Sequence, residues 1–194
     1  AMYMLGEPRA ELRAIIERYW FVVCPAGGNF DLSVDVYVDG QADMVVNHGV
    51  PYRRIGPNGI SIDVPFSSID AQRTGPVRIE QRGNVKVCGA RFTVGGLAVF
   101  TAAPMWPLTD RIVPIAEVFG PAAGLLTESL RRVWPDTDAM RRLLDAFFMQ
   151  QLSVSHAYRV CTACMKAIDE ALLRARRRLN ARLLSARRAI PARP

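Results

Sequence analysis

Histidine is scarce in this sequence, and its scarcity limits the metal chemistry that the chain can support. Only two histidines occur among 194 residues, His48 and His156, and they lie in segments of different predicted structure. A mononuclear iron site of the facial type needs two histidines and a carboxylate on one side of the ion. No His-x-His pair supplies them here. We therefore expect no metal, no cofactor and no catalytic residues.

Long apolar runs and a secretory signal are also lacking. Half of the residues are hydrophobic, yet no run approaches the length of about 18 residues that a membrane span needs. The N-terminus has no basic region followed by an apolar stretch, so we expect no secretory signal. Four cysteines in a chain of this length do not indicate a disulfide scaffold. The sequence therefore predicts a cytoplasmic protein with reduced thiols and no membrane partner.

Motifs of the common enzyme classes are absent as well. The sequence contains no nucleophile elbow, phosphate loop or dinucleotide fingerprint. The spacing Cys161-x-x-Cys164 looks like half of a zinc site, but a structural zinc normally takes four ligands and no second cysteine pair exists. We expect these two cysteines to lie near one face of a long helix and to pack as small apolar residues.

The net charge of +7 arises at the C-terminal end of the chain. The other 17 basic residues nearly balance 18 acidic ones, and no acidic residue follows Glu170. Two interpretations stay open, a linker or solvated helix face and a segment that contacts DNA phosphates. The eight basic residues after Glu170 are Arg174, Arg176, Arg177, Arg178, Arg182, Arg187, Arg188 and Arg193.

Short strands dominate the first half of the chain. A helix is predicted over residues 8–18, where Leu12, Ile15 and Ile16 have helical spacing, and a strand follows over 18–24. Gly, Pro, Asn and Asp clusters then separate further candidate strands. This spacing of strands predicts a closed or sandwiched antiparallel β fold. The further strands are expected at 31–38, 42–47, 60–64, 76–81 and 85–93.

Helices dominate the second half. Residues 97–102 predict one helical turn, and 108–118 are ambiguous between strand and helix. Pro121 and Pro135 bracket a second helix, and Asp136 opens a third with a wide apolar stripe to Leu152. A last helix, capped by Ser153 or Ser155, is expected to extend to about Arg188. Two adjacent helices with wide apolar stripes suggest a dimerisation device.

Asp43 is the local feature with the most information, because it is an acid inside the apolar strand 42–47. Such a group needs a buried partner, a ligand or a water-lined cavity. Arg91, the strong cation of the run 85–92, is the expected partner, either around a polar ligand or in a structural ion pair. Hydrogen bonds to the turn at Asp39-Gly40 are the other structural alternative.

Other candidate ligand-binding residues are Trp20, Asn47 and His48. Trp20 projects opposite to Tyr19 and Phe21, so it either stacks on a ligand or packs in the core. Asn47 and His48 end the strand of Asp43, where they either line the mouth of a pocket or form a turn.

Six motifs in order resemble the N-terminal sensor domain of one branch of the AraC-type transcription regulators. The likeness extends from about residue 8 to residue 152. The motifs are Arg18-Tyr-Trp-Phe-Val22, Asp39-Gly-Gln-Ala-Asp-Met-Val-Val-Asn47, Gln72-Arg-Thr-Gly-Pro76, Gly89-Ala-Arg-Phe92, Gly95-Gly-Leu-Ala-Val-Phe100 and Leu108-Thr-Asp-Arg-Ile-Val-Pro-Ile-Ala-Glu-Val-Phe-Gly120.

The resemblance implies an α+β fold, in which a cupin-like antiparallel β barrel or jelly roll precedes C-terminal α-helices. Residues 1–120 would form the β sensor domain, and 121–190 the helical dimerisation and linker region. A small organic effector, unidentified, would bind in the barrel, and the helices would pair two protomers. DNA would be read by a helix-turn-helix domain that this sequence does not contain after Leu152.

Two alternatives to a regulatory domain stay open. One is a stand-alone cupin-like protein that binds a small molecule or acts as a metal-dependent enzyme. The other is a DNA-binding or interaction protein that works through the arginine-rich tail.

Overall fold

The computed structural model describes residues 2–24, 30–64, 67–101, 104–152 and, from 163 to 178, all but residues 165 and 169. The chain divides into two units, residues 1–153 and 154–194. The division at residue 120 stays a prediction, and the helices between that residue and Leu152 pack on the strands of the first unit.

Ten strands are found in the described part of the first unit. They are β1 (Met2–Gly6), β2 (Ile16–Val23), β3 (Phe30–Val36), β4 (Asp43–Asn47), β5 (Arg53–Ile55), β6 (Ser61–Asp63), β7 (Ser67–Asp70), β8 (Val77–Gly83), β9 (Lys86–Phe92) and β10 (Ile112–Pro114). Three α-helices follow the strands along the chain. They are α1 (Ile115–Phe119), α2 (Ala122–Val133) and α3 (Thr137–Gln151). Short 3-10 helices occupy Ala10–Leu12, Gly96–Phe100 and Trp106–Leu108.

The strands form two antiparallel sheets. The larger sheet has six strands in the order β1-β2-β9-β4-β7-β10, and the smaller has four in the order β3-β8-β5-β6. Among the described strands, no pairing joins the two sheets into a closed barrel. The α+β class and the antiparallel strands are therefore confirmed, and the sandwiched arrangement is observed in place of the closed one.

The two faces of the six-stranded sheet contact different elements: one faces the helices and the other faces the four-stranded sheet. Along β2, Tyr19 and Phe21 point to the helices, and the ring of Tyr19 stacks on Phe148 of α3 at 6.3 Å between centroids. Phe92 of β9 meets the same ring at 5.7 Å. Trp20, between Tyr19 and Phe21, points to the four-stranded sheet. This alternation, a direct consequence of the two-residue period of a strand, separates an aromatic core from a second, partly open space.

The predicted helix over 8–18 is wrong. Only Ala10–Leu12 forms a 3-10 turn, and β2 already begins at Ile16, which pairs with Phe92. Leu12, Ile15 and Ile16 are all buried. Their helical spacing arises because the 3-10 turn and the start of β2 both bury apolar side chains, and not because they share one helix. The backbone carbonyl of Ile15 accepts from Thr93 N at 2.8 Å, which holds this segment against the sheet.

Three strands were not predicted, β1, β5 and β7. Strand β7 shows why, because its residues Ser67-Ser-Ile-Asp70 are mostly polar and carry no apolar alternation. It is nevertheless almost fully buried, since it lies between β4 and β10 in the larger sheet. Its position in the sheet, and not its composition, makes it a strand.

The predictions for the second half of the unit are largely confirmed. Gly96–Phe100 forms a helical turn, and the ambiguous segment 108–118 contains both β10 and α1. Pro121 precedes the first residue of α2, and the carboxylate of Asp136 accepts from Ala139 N at 2.9 Å to cap α3.

In the second unit, the described residues from 163 to 178 are helical, as the sequence predicts for a last helix. Ile168, Leu172 and Leu173 are at least half exposed on it. Residues 153–162 and 179–188 of the predicted helix, with most of the tail, lie outside the described residues. None of the helices described is both long and apolar enough for a membrane crossing.

Candidate functional site

A cavity of about 650 Å³ lies between the inner faces of the two sheets. Its volume falls in the range of small-molecule sites, roughly 300–1,000 Å³. Trp20, Val45 and Val87 line it from the six-stranded sheet, and Leu32 and Ile79 from the four-stranded sheet. These side chains come from alternate strand positions, so the pattern that buries the aromatic core also builds the cavity wall.

A row of four charged residues crosses the cavity face of the larger sheet. Arg18 of β2 is the register partner of Arg91 on β9, Arg91 is the partner of Asp43 on β4, and Asp43 is the partner of Asp70 on β7. All four line the cavity. The row thus has two cations on one side and two carboxylates on the other, which gives the cavity a polar floor.

Asp43 stands at the centre of this row and holds two partners. Its Oδ1 accepts from Trp20 Nε1 at 3.2 Å, and its Oδ2 accepts from Arg91 Nη1 at 3.2 Å. Burial raises the pKa of Asp43 to about 6, the Trp20 hydrogen bond opposes this rise, and the carboxylate of Asp70 adds to it. The guanidinium of Arg91 also stabilises the charged form, but it is half-buried and shared with other acids. Desolvation therefore decides the direction in which the pKa of Asp43 shifts.

Arg91 is fully occupied by its neighbours. Its Nε donates to Gln41 Oε1 at 2.7 Å, and its Nη2 donates to Asp39. Glu17 lies 3.6 Å from Nε. The expected pairing of Asp43 with Arg91 is confirmed, and Arg91 itself reaches the turn at Asp39-Gly40.

A second cluster of charges at Asp70 was missed by the sequence analysis. Arg73 Nη1 donates to Asp70 Oδ2 at 2.8 Å, and Arg54 Nη2 lies 3.7 Å from Asp70 Oδ1. All three side chains are at least nine-tenths buried. Asp70 and Arg73 belong to an Asp-x-x-Arg spacing, but nothing in the sequence indicates that the segment is a buried strand end.

Trp20 lies in the cavity wall, opposite to Tyr19 and Phe21 as predicted. Its indole ring lies over its register partner Gly89, where a side chain would collide with it. The glycine therefore makes room for the ring, which turns its N–H toward Asp43.

Asn47 and His48 are not among the cavity-lining residues. Asn47 is buried in a turn, where its side chain accepts from Gly49 N at 2.9 Å and donates to Val50 O at 2.6 Å. His48 packs edge-on against Trp134, with 6.1 Å between centroids, and burial lowers its pKa. Of the two roles left open for this pair, the turn is the one that the structure places there.

Among the residues that the structure describes, no group of three or more His, Cys, Asp or Glu side chains is arranged to hold a metal ion. Cys88 is buried, and burial raises the pKa of its thiol to about 12. Cys164 is exposed, whereas Cys161 and His156 lie outside the described residues.

Comparison with known proteins gives one family match. The protein family described as a domain of unknown function, DUF6597, matches residues 6–114. This range contains nine of the ten strands and every cavity-lining residue except Tyr3. No curated protein matches the chain.

Proposed function

We propose that this chain, which belongs to the family of the domain of unknown function DUF6597, binds a small organic effector in the cavity between its two sheets. In this proposal it is the sensing and dimerisation domain of an AraC-type transcription regulator. The cavity carries the proposal, because it combines an apolar wall with a few fixed polar groups, as small-molecule sites do.

Strand β2 offers a direct connection between the cavity and the helices. Trp20 lines the cavity, while Tyr19, the preceding residue, donates its hydroxyl to Asp145 of α3 at 3.0 Å. A ligand that shifts Trp20 would therefore move the contact between β2 and α3. The effect on the helices is limited by the difference in the ligand's affinity for the two arrangements.

The regulator assignment rests on the resemblance of residues 8–152 to the AraC-type sensor domains. We also propose a cupin-like relationship for the two sheets, which the antiparallel pairing permits. DNA would be contacted by a separate helix-turn-helix domain, and the protein would act in the cytoplasm. Pairing of two protomers would use the exposed apolar residues of the C-terminal helix.

A thermal-shift screen with a metabolite library tests ligand binding. A ligand at a hundred times its dissociation constant adds about 2.7 kcal/mol to the unfolding free energy, which gives a clear shift. The Leu32→Trp variant, which fills the cavity from β3, should lose the response. The Ser33→Trp variant is the matched control, because Ser33 is exposed on the other face of the same strand.

Two results would contradict the proposal. One is the absence of any stabilising compound in a broad library. The other is a compound whose effect is the same in the wild type and in Leu32→Trp, because it would bind elsewhere.

A further inference from the structure

Arg73 has two donors that no group in the described structure satisfies. Its side chain is only 2% exposed and lines the cavity. Nη1 donates to Asp70 Oδ2 at 2.8 Å, but Nε and Nη2 are buried without a hydrogen-bond partner. A buried donor that is left unsatisfied costs about 1–3 kcal/mol, and more when the group is charged.

The two free atoms form one edge of the guanidinium. Nε–H and Nη2–H point in parallel, and this fork matches the two oxygens of a carboxylate. Arg91 shows the contrast within the same cavity, because its Nε and Nη2 are occupied by Gln41 and Asp39. Of the two arginines, only Arg73 has a fork without a hydrogen-bond partner in the described structure.

The charge around Arg73 also favours an anion. Arg54 and Arg73 have one carboxylate within ion-pair distance, that of Asp70, so this cluster of three side chains holds one positive charge in excess. Arg54 finds a neutral acceptor in the backbone carbonyl of Asp110 at 3.3 Å. The carboxylate of Asp110 is directed to Thr74, and that of Asp43 is paired with Arg91.

We propose that the effector carries a carboxylate, which the Nε–Nη2 fork of Arg73 binds at the polar end of the cavity. The remainder of the molecule is apolar or aromatic and packs against Trp20, Val45 and Ile79. This inference rests on the proposed function, because it specifies the ligand class of the same cavity.

Calorimetric titration with matched pairs of compounds tests the inference on the whole chain. The pairs are benzoate and benzamide, 2-naphthoate and 2-naphthamide, indole-3-acetate and indole-3-acetamide, and decanoate and decanamide. The two compounds of each pair have the same apolar part. The amide lacks the charged carboxylate that the fork of Arg73 would bind. We expect the carboxylate to bind at least about tenfold more tightly, as for a charge-assisted bidentate contact.

Two variants locate the contact. Arg73→Gln should reduce the preference for the carboxylate to less than about threefold while amide binding persists. Arg73→Lys keeps the charge without the fork and should lose most of the preference as well. Arg78→Gln removes an exposed arginine of β8, and it should leave the preference unchanged.

The outcomes separate the two proposals. If amides bind as tightly as carboxylates in the wild type, the inference is overturned while the ligand-binding function stands. The same holds if the preference survives both Arg73 variants. If no compound of any pair binds, the carboxylate inference is overturned, and the metabolite-library screen decides the ligand-binding function separately. The wild-type comparison decides the matter even if an Arg73 variant does not fold.

Discussion

The indole ring of Trp20 lies over the Cα atom of Gly89, its register partner on the neighbouring strand. A Cβ atom added at Gly89 would lie 2.4 Å from Trp20 Cζ2 and 2.5 Å from the backbone oxygen of Met44. The ring position, and with it the hydrogen bond to Asp43, therefore depends on the absence of a side chain at residue 89.

Replacing Gly89 by alanine should displace Trp20 and destabilise the fold. Because one of the two collisions is with backbone, side-chain movement alone cannot relieve it, and we expect a loss of about 1–3 kcal/mol. Chemical denaturation measures this difference. Gly124→Ala in α2 is the control, since its new Cβ meets nothing within 4 Å. A helical alanine there should stabilise by up to about 1 kcal/mol. An unchanged stability of Gly89→Ala would contradict the geometry.

Asp43 should titrate near pH 6. Its folded-state pKa is raised, so the folded protein holds a proton there that the unfolded chain releases at lower pH. The contribution of Asp43 to the unfolding free energy should therefore fall by roughly 3 kcal/mol as the pH rises from about 4 to about 6. Carboxyl NMR titration gives the midpoint directly. Asp43→Asn should lack this pH dependence, and Asp110, whose pKa is lowered, should titrate below its ordinary range. A midpoint for Asp43 below 4 would be the contrary result.

Asp70→Asn should be strongly destabilising. The substitution leaves the buried guanidiniums of Arg54 and Arg73 without their shared counter-charge, and breaking such a cluster costs about 3–5 kcal/mol. Urea denaturation of variant and wild type gives the difference. Asp35→Asn breaks an exposed ion pair with Arg78 and should produce no measurable change. Equal effects of the two substitutions would mean that the Asp70 cluster is open to water.

Tyr19→Phe should weaken the contact between β2 and α3. The hydroxyl of Tyr19 donates to Asp145, which also accepts from Arg9 N and pairs with Arg141. Because these partners keep the carboxylate satisfied, the expected loss is only about 1–2 kcal/mol. Thermal unfolding measures it, with Tyr37→Phe as the control because Tyr37 is 72% exposed. If both variants unfold at the wild-type temperature, the hydroxyl contributes nothing to this contact.

Leu172→Glu should dissociate the proposed dimer. Ile168, Leu172 and Leu173 form an exposed apolar face on the C-terminal helix, and a charge within a paired face is unfavourable. Sedimentation velocity measures the oligomeric state over a concentration series. Ala167→Glu adds the same charge on the opposite side of the helix, given 100° per residue, and should not alter the association. A monomeric wild type, or equal dissociation by both variants, would contradict pairing through this face.

Several elements of the site could be predicted from sequence because they depend on local pattern. The alternation Tyr19-Trp20-Phe21 placed Trp20 on the strand face opposite to its two neighbours, since a strand has a period of two residues. An acid within an apolar strand indicated a buried partner, and Arg91 is that partner of Asp43. The caps and prolines around α2 and α3 gave the positions of these helices.

The charged row and the cavity were decided by tertiary structure alone. Arg18, Arg91, Asp43 and Asp70 become neighbours through the strand order β2-β9-β4-β7, which no local pattern encodes. The same order buries the polar strand β7 and brings Arg54 and Arg73 to one carboxylate. Local sequence thus sets the face on which a side chain lies, because backbone geometry is local. Which charges meet on that face depends on long-range strand pairing, because the pairing joins residues far apart in the chain.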